Sequence, residues 1–392
     1  MTRRYETTHP WITFEHDAAY QQVSMRMGEA FSKCAHLIGT PLQPSVAQAL
    51  ASIYLVRGAV ATTAIEGNTL TEDEAEQIIN GKRTLPASQQ YLAQEIKNVV
   101  AVLRGIDQAS WAGVPWRMTT QWLKEQNRQI LVGIEVPDHV IPGEFTTSTL
   151  IVGNYRGAPP EDVPHLVDRL CDWVNARIEQ GQREGVASDQ AFFNMATTAI
   201  LSHLYIAWIH PFGDGNGRTA RAVECAILAT SGLVPWVSAN LLSDHYNRTR
   251  SRYYERLAEA SHQRSAKGFV QYAIDGFADM LREQIAEVQL MQRRVAWQNF
   301  VYEQFRDETD GEASRRRRAL VLAMPEDTAM PRSKLTLLTP ALAARYATRG
   351  SKTVSHDINR LMKLGLVKGD ARGGYLPCID RMDAFLPANN HP

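Results

Sequence analysis

The sequence has little that would cross-link it or single out one kind of partner. Four cysteines, Cys34, Cys171, Cys225 and Cys378, are scattered over 392 residues with no C-x-x-C pair and no histidine at zinc-site spacing. That argues against a disulfide scaffold and for a reduced, cytoplasmic setting. Neither sign of charge is in excess: Lys plus Arg and Asp plus Glu are both 42, so the formal net charge is zero. A chain-wide nucleic-acid coat is thereby excluded, although a local basic patch is not. Long hydrophobic runs are missing too. The most apolar stretch, Met195 to Ile209, is short for a bilayer and contains Ser202 and His203, so a buried helix and no membrane partner are expected. Met1 to Glu6 lead into no apolar segment, so no signal peptide is expected. Internal repeats and low-complexity segments are lacking. What remains is an ordinary globular composition, 44% hydrophobic and 21% charged, in a chain long enough for two or three domains.

Helical periodicity dominates. Ser45 to Glu66 places Val46, Leu50, Ile53, Tyr54, Val60, Ala61 and Ile65 at three- and four-residue steps and stops at Gly67-Asn68. Thr71 to Glu74 has capping-box form, opening a helix that Asn80-Gly81 ends. Tyr91–Leu103, Thr119–Leu131, Val163–Glu179 and Gln190–Ile209 continue in the same style. The exception is Gly143 to Tyr155, whose β-branched Phe145–Val152 segment predicts a small β-hairpin. After about residue 285 the composition shifts: Arg282–Phe305 predicts a charged connecting helix, broken at Asp307–Gly311. The fold class is mainly α.

His210-Pro211-Phe212-Gly213-Asp214-Gly215-Asn216-Gly217-Arg218-Thr219-Ala220-Arg221 is the most informative segment. An apolar helix ends at His210, where Pro211 forbids its continuation. Gly213, Gly215 and Gly217 free the backbone to present successive N–H groups, and the helix through Ala222–Leu228 points its positive end at the loop. Arg218 and Arg221, three apart, share a face suited to a polyphosphate. Asp214 is the loop's one carboxylate, the kind of oxygen ligand that holds Mg²⁺ beside phosphates. His210 is the residue able to act as a base near neutral pH. The plain alternative is a glycine loop with surface arginines and a structural histidine.

The segment matches H-P-F-x-[DE]-G-N-G-R-x-x-R and so resembles the Fic (Fic/Doc) family. Pro142-Gly143-Glu144-Phe145 and the following strand are similar to that family's flap, with Leu150, Ile151, Val152 and Gly153 lining the nucleotide. Tyr253 and Tyr254 resemble the pair that flanks the adenine. The likeness covers about residues 45 to 280. Where many relatives carry Arg after the flap aromatic this chain has Thr146, and where some carry an adenine-binding Asn it has Ser261. The resemblance implies a Fic-type helical bundle that transfers AMP from ATP to a Ser, Thr or Tyr hydroxyl of a target protein, or of the chain itself, releasing pyrophosphate. His210 would take the hydroxyl proton and Asp214 would hold Mg²⁺ across the α- and β-phosphates. Asn216 with the N–H groups of Gly215 and Gly217 would form the anion hole, and Arg218 and Arg221 would grip the outer phosphates.

Thr62-Thr63-Ala64-Ile65-Glu66-Gly67 matches [ST]-x-x-x-E-[GN], the inhibitory motif of family members with their own regulatory helix. By that resemblance Glu66 pairs with Arg221 and occupies the place of the γ-phosphate. Thr62, one turn earlier, would steady the helix end.

Near the C-terminus, Pro340–Tyr346 predicts a short helix, and Ser351 is expected to N-cap a second that runs to about Leu364. Val354, Ile358 and Leu361 would face inward and Lys352, Thr353, His356 and Arg360 outward. Strands at Gly365–Lys368 and Gly374–Leu376 would follow. This pattern resembles a winged helix-turn-helix, which would put a recognition helix in a DNA major groove with Arg315–Arg318 on phosphate. Such modules also dock proteins or dimerise, and the arginine run is equally a solvated face. The organisation expected is a helical region at 1–110 including the regulatory helix (about 45–66), a catalytic domain at 111–285, a connecting helix and linker at 286–311 and a winged helix at 312–392. Three functions remain open: an autoinhibited AMP transferase, an enzyme that removes AMP with the same loop and Glu66, and a winged-helix regulator whose core senses nucleotide. A homo-oligomer is also left open.

Overall fold

The computed structural model describes residues 3–15, 23–112, 116–153, 155–371 and 373–383, and it divides into two compact units, up to Ile285 and from Ala286. Met1 and Thr2, read above as part of the chain's start, lie outside the described residues. The first unit begins with α1 (Arg4–Thr8), α2 (Ser24–Ile38), α3 (Pro44–Ile65), α4 (Glu72–Ile79), α5 (Gln90–Trp111) and α6 (Thr120–Leu131). After the hairpin β1 (Ile151–Val152) and β2 (Tyr155–Arg156) come α7 (Val163–Gly181), α8 (Ser188–Ile209) and α9 (Asn216–Thr230). The unit closes with α10 (Trp236–Ala239), α11 (Leu241–Arg248), α12 (Arg250–Gln263) and the first half of α13 (Lys267–Gln304).

Local sequence accounts for most boundaries. Pro44 opens α3 at its first turn, where a missing N–H costs nothing. Gly67, at φ 106°, closes it, with the Asn68 N–H donating to the Thr63 carbonyl. Thr71 and Glu74 complete the capping box of α4. Helix α8 is apolar on every face and correspondingly buried, with α7 and α9 packed along it. Helices α3 and α8 are long and apolar enough to cross a membrane by length and composition only, α8 being longer than the Met195–Ile209 stretch suggests, and 89% of the apolar window of α8 is buried inside the protein. Helix α5 runs through residue 110 and packs on α3, α6 and α9, so packing is continuous there.

The hairpin is smaller than its β-branched sequence implies. Among the described residues the pairs are Ile151↔Arg156 and Val152↔Tyr155. Thr146 Oγ1 accepts from the Ser148 N–H and donates to the Ser148 carbonyl, a local turn that competes with a ladder. Phe145 instead bridges Phe212, so the base of the hairpin is tied to the glycine loop.

The second unit takes the rest of α13, then α14 (Glu312–Ala323), α15 (Arg332–Leu335), α16 (Pro340–Tyr346) and α17 (Ser351–Lys363). The antiparallel pair β3 (Val367–Gly369) and β4 (Tyr375–Pro377) follows. Its core gathers Trp297, Val301, Leu320, Leu342, Ile358 and Leu366. Gly350, not Ser351, is the N-cap of α17, and Ser351 starts the helix proper. The arginine run is not a free basic face. Arg316 is buried and forks onto Asp357 at 2.7 and 3.2 Å, Arg317 adds a bond of 2.8 Å to the same carboxylate, and Arg315 and Arg318 pair with Asp310.

Candidate active site

The glycine loop joins the two central helices of the first unit. His210 ends α8 in the left-handed region, φ 53° and ψ 60°, its N–H bonded to the Ile206 carbonyl. Pro211 forces this departure from helix, and few L-residues accept that backbone. Burial lowers the pKa of the His210 ring below the usual imidazole value, against the raising influence of the Ala207 backbone, Glu66 and Asp214. Behind it the chain returning from the hairpin passes close: a Cβ on Gly157 would lie 3.0 Å from His210 Cβ, and Ala158 N–H donates to the Ile209 carbonyl.

Phe212 points inward and is 1% exposed. Its backbone is braced by Asn216, whose Oδ1 accepts from the Phe212 N–H at 2.9 Å and whose Nδ2 donates to the Phe212 carbonyl at 2.6 Å. Asn216 therefore spans the loop, and its carboxamide is engaged there rather than turned to an open anion hole. Gly215, at φ 74°, caps α9, and its N–H donates to Asp214 Oδ1. At the start of α9 the N–H groups of Gly217 and Arg218 have no intrahelical acceptor. Gly213 sits against Val140, 2.8 Å from where its Cβ would be.

Both arginines meet carboxylates. Arg218, 6% exposed, donates Nη1 to Glu95 at 3.2 Å and lies 3.5 Å from Asp214, while its Nε is buried without a partner among the described residues. Arg221 is buried. Nη2 donates to Glu66 Oε1 at 2.7 Å and to the Thr62 carbonyl at 3.0 Å, Nε donates to Thr62 Oγ1 at 2.6 Å, and Nη1 reaches the Tyr253 hydroxyl at 3.4 Å. The pairing of Glu66 with Arg221 is thus present. Thr62 has another task than the one expected: it accepts from the guanidinium instead of steadying its own helix end. Burial alone would raise the Glu66 carboxyl, but the charge and hydrogen bond of Arg221, with Arg218 and Arg250 nearby, hold it below the usual carboxylate range.

The residues assigned to the base and flap separate. Tyr253 is buried beneath Arg221, its hydroxyl between that guanidinium and His203 Nε2, so it faces the core rather than an open base pocket. Burial is the reason, since α12 lays this face on α8. Tyr254 is 44% exposed and donates to the Ile65 carbonyl at the end of α3. Leu150 accepts from the Gly157 N–H, Ile151 is exposed, Val152 lies in β1, and Gly153 turns at φ 57°. Ser261 accepts from Trp208 Nε1 at 3.0 Å.

Two residues that position the site carry no signal in the sequence. Asn127 of α6, 1% exposed, donates to the Asp214 carbonyl and to Thr219 Oγ1, and accepts from the Gly143 N–H at the flap's root. Glu95 of α5 holds Arg218 with one oxygen and Asn68 with the other. A lone Asn or Glu on an amphipathic helix is indistinguishable from a solvated one until the fold is known.

The Fic/DOC family model matches residues 117–228, which include the whole loop. A protein adenylyltransferase Fic of Nematostella vectensis is 26% identical over 204 residues, covering 51% of this chain and 42% of that one. Protein adenylyltransferase fic-1 of Caenorhabditis elegans is 26% identical over 202 residues, 51% and 35% respectively. The chain thus spans less than half the length of these relatives. Among solved structures, a Fic family protein from Desulfovibrio desulfuricans superposes with a TM-score of 0.56 at 20% identity, covering 96% of this chain and 95% of that one. Over residues 117–228 the chain is thus similar to the Fic/DOC family, the curated relatives it matches are protein adenylyltransferases, and its fold is like that of a solved Fic family protein.

Proposed function

We propose that this chain is a protein adenylyltransferase held in check by its own Glu66. The observation that carries the reading is the Glu66–Arg221 pair beside the start of α9, in the same loop region as a half-buried His210. A phosphate chain fits the residues there: Gly217 carries no Cβ to obstruct it, the first-turn N–H groups are open, and Arg218 Nε is an orphaned buried donor. In the reaction the oxygen of a target Ser, Thr or Tyr attacks the α-phosphorus, the bond to the β-phosphate oxygen breaks, and pyrophosphate leaves. His210 takes the hydroxyl proton on a ring nitrogen; a positioned base contributes about 10²–10⁴-fold. Arg218 and Arg221 fix which phosphorus faces the nucleophile. Among the described residues no three carboxylate, histidine or cysteine side chains converge into a metal cage. Asp214, 43% exposed, is the one carboxylate that would hold Mg²⁺, the remaining ligands being phosphate oxygens and water. When bound, such an ion neutralises phosphate charge.

While Glu66 holds Arg221, ATP binds with its γ-phosphate displaced and its α-phosphorus misaligned. The test is to incubate the chain and its Glu66→Gly variant with ATP labelled in the α-phosphate and Mg²⁺, and to look for a mass gain of one AMP on the chain or on lysate proteins. Absence of AMP transfer from both, with ATP bound, overturns the reading.

For the second unit we propose a winged helix-turn-helix that binds DNA. Helices α16 and α17 followed by β3–β4 support the module, and charge supports the partner. From Thr328 to Gly369 the sole acid is Asp357, which is buried, while Arg332, Lys334, Arg349, Lys352 and Lys363 are exposed. Phosphate contacts make such binding fall steeply with salt. A duplex-binding titration at 50 and 200 mM salt tests it. No binding at the lower salt, with a change in oligomeric state when residues 307–392 are deleted, favours protein docking instead.

A further inference from the structure

Beneath Arg221 lies a chain of buried polar groups that the transfer chemistry does not use. Tyr253 of α12 is 2% exposed, and His203 of α8 and Glu224 of α9 are 0% and 1% exposed. His203 Nε2 is 2.9 Å from the Tyr253 hydroxyl and its Nδ1 is 3.2 Å from Glu224 Oε2, while Tyr246 of α11 donates to Glu224 Oε1 at 2.9 Å. Glu224 stands three residues after Arg221, so the bonds leave α9 at the arginine and return to the same helix one turn later.

The direction of the protons follows from the ends. Arg221 can only donate, so the Tyr253 oxygen accepts from Nη1 and its own proton goes to His203 Nε2. His203 Nδ1 then faces Glu224 as a donor. Every group in the chain then has a partner.

We propose that Tyr253, His203 and Glu224 are positioning residues that aim the Arg221 guanidinium at the terminal phosphate of ATP. This deepens the transferase reading and rests on it. The other three bonds of Arg221 go to Thr62 and Glu66 at the end of α3, the very contacts a γ-phosphate must replace. Nη1 alone is held by elements that stay with α9. When Glu66 withdraws, the relay keeps the guanidinium from swinging after it. Apolar side chains of similar volume would fill this space without loss of stability. A polar chain ending on one arginine therefore reads as orientation.

The experiment uses the full chain in a Glu66→Gly background and compares dissociation constants for ATP and ADP. Tyr253→Phe removes one oxygen and keeps the ring stacked on Tyr246, whose centroid is 4.8 Å away. It is expected to weaken ATP about tenfold and ADP less than about twofold, because only ATP carries the phosphate the relay serves. His203→Leu should act likewise, and His203→Gln, with one donor and one acceptor, should recover part of the loss. A general loss of structure would weaken both nucleotides alike and appear in thermal unfolding. If Arg221→Ala lowers the ATP preference but Tyr253→Phe and His203→Leu leave it within twofold of the parent, the relay is wrong and the phosphate role of Arg221 stands. If Arg221→Ala leaves the preference unchanged, both fall.

Discussion

A Cβ on Gly217 would lie 2.6 Å from Glu66 Oε1. The regulatory carboxylate therefore rests on the first turn of α9, against backbone that has to be bare for a phosphate to approach. Gly217→Ala should push Glu66 away from Arg221 and at the same time block the phosphate. It is expected to abolish ATP binding in calorimetry without raising AMP transfer. Activation by Gly217→Ala would mean that the phosphates lie elsewhere.

Glu66→Gly removes the same carboxylate and leaves the space open. A charge-assisted hydrogen bond of about 1.5–3 kcal/mol leaves roughly 1–10% of molecules competent, each 1.4 kcal/mol being tenfold. Self-modification should then rise by about ten- to a hundredfold. Glu66→Asp should release the brake in part, and Arg221→Ala not at all, because it loses the phosphate ligand with the brake. A Glu66→Gly chain that binds ATP but is no faster than the parent would sink autoinhibition. One that is slower at removing AMP from a modified target would favour the reverse reaction.

The pH dependence separates the two ionisable groups. His210 must be neutral to act as a base, and burial keeps it neutral to a pH below 6.5. In the Glu66→Gly chain, kcat/KM should be level from pH 8 to about 6.5 and fall only below that, since this ratio reports the free enzyme. Glu66 is ionised throughout the same window, its pKa being below 4.5. The ratio of Glu66→Gly to parent activity should thus be flat from pH 6 to 8; a ratio that collapses on acidification would make the brake a pH switch.

The catalytic loop was legible because Pro211, three glycines and two arginines each leave a local mark on the backbone or on one helix face. The Glu66–Arg221 pair was legible only through the motif, since 155 residues separate the partners. Long-range polar contacts had no local mark. Asn127 and Glu95 have no local signature, Tyr253 resembles one of a pair flanking the adenine, and His203 marks no more than a buried helix. The small hairpin is present, but its ladder stops short of Phe145–Ser148, where the hydroxyl of Thr146 satisfies backbone that β-propensity would place in a ladder.

Asn127 joins the loop, α9 and the root of the flap. Asn127→Leu keeps the volume and strands the Gly143 N–H and the Asp214 carbonyl. Each buried group left unsatisfied costs about 1–3 kcal/mol, so a loss of roughly 2–6 kcal/mol in urea unfolding is expected. Transfer should fall with it, since Asp214 and the flap lose their common anchor. Unchanged stability would show that water replaces the amide.

Asp357 is the corresponding anchor of the second unit. Burial would raise its carboxyl, but Arg316, Arg317 and the Tyr346 hydroxyl outweigh burial and hold it below 3.8. Because the folded value is depressed, the stabilisation is complete above 3.8 and is lost as pH falls through the folded value. Asp357→Ala removes it at every pH and leaves Arg316 buried without its partner, which costs about 3–5 kcal/mol. In the full chain, protease cleavage between residues 286 and 383 should begin at a lower temperature, while ATP binding by the first unit is unchanged. Asp357→Asn, which keeps the shape but not the charge, should fall between the two. If Asp357→Ala resists protease like the parent at pH 7, the arginine run is held by something other than this carboxylate, and the charge segregation behind the DNA reading loses its structural basis.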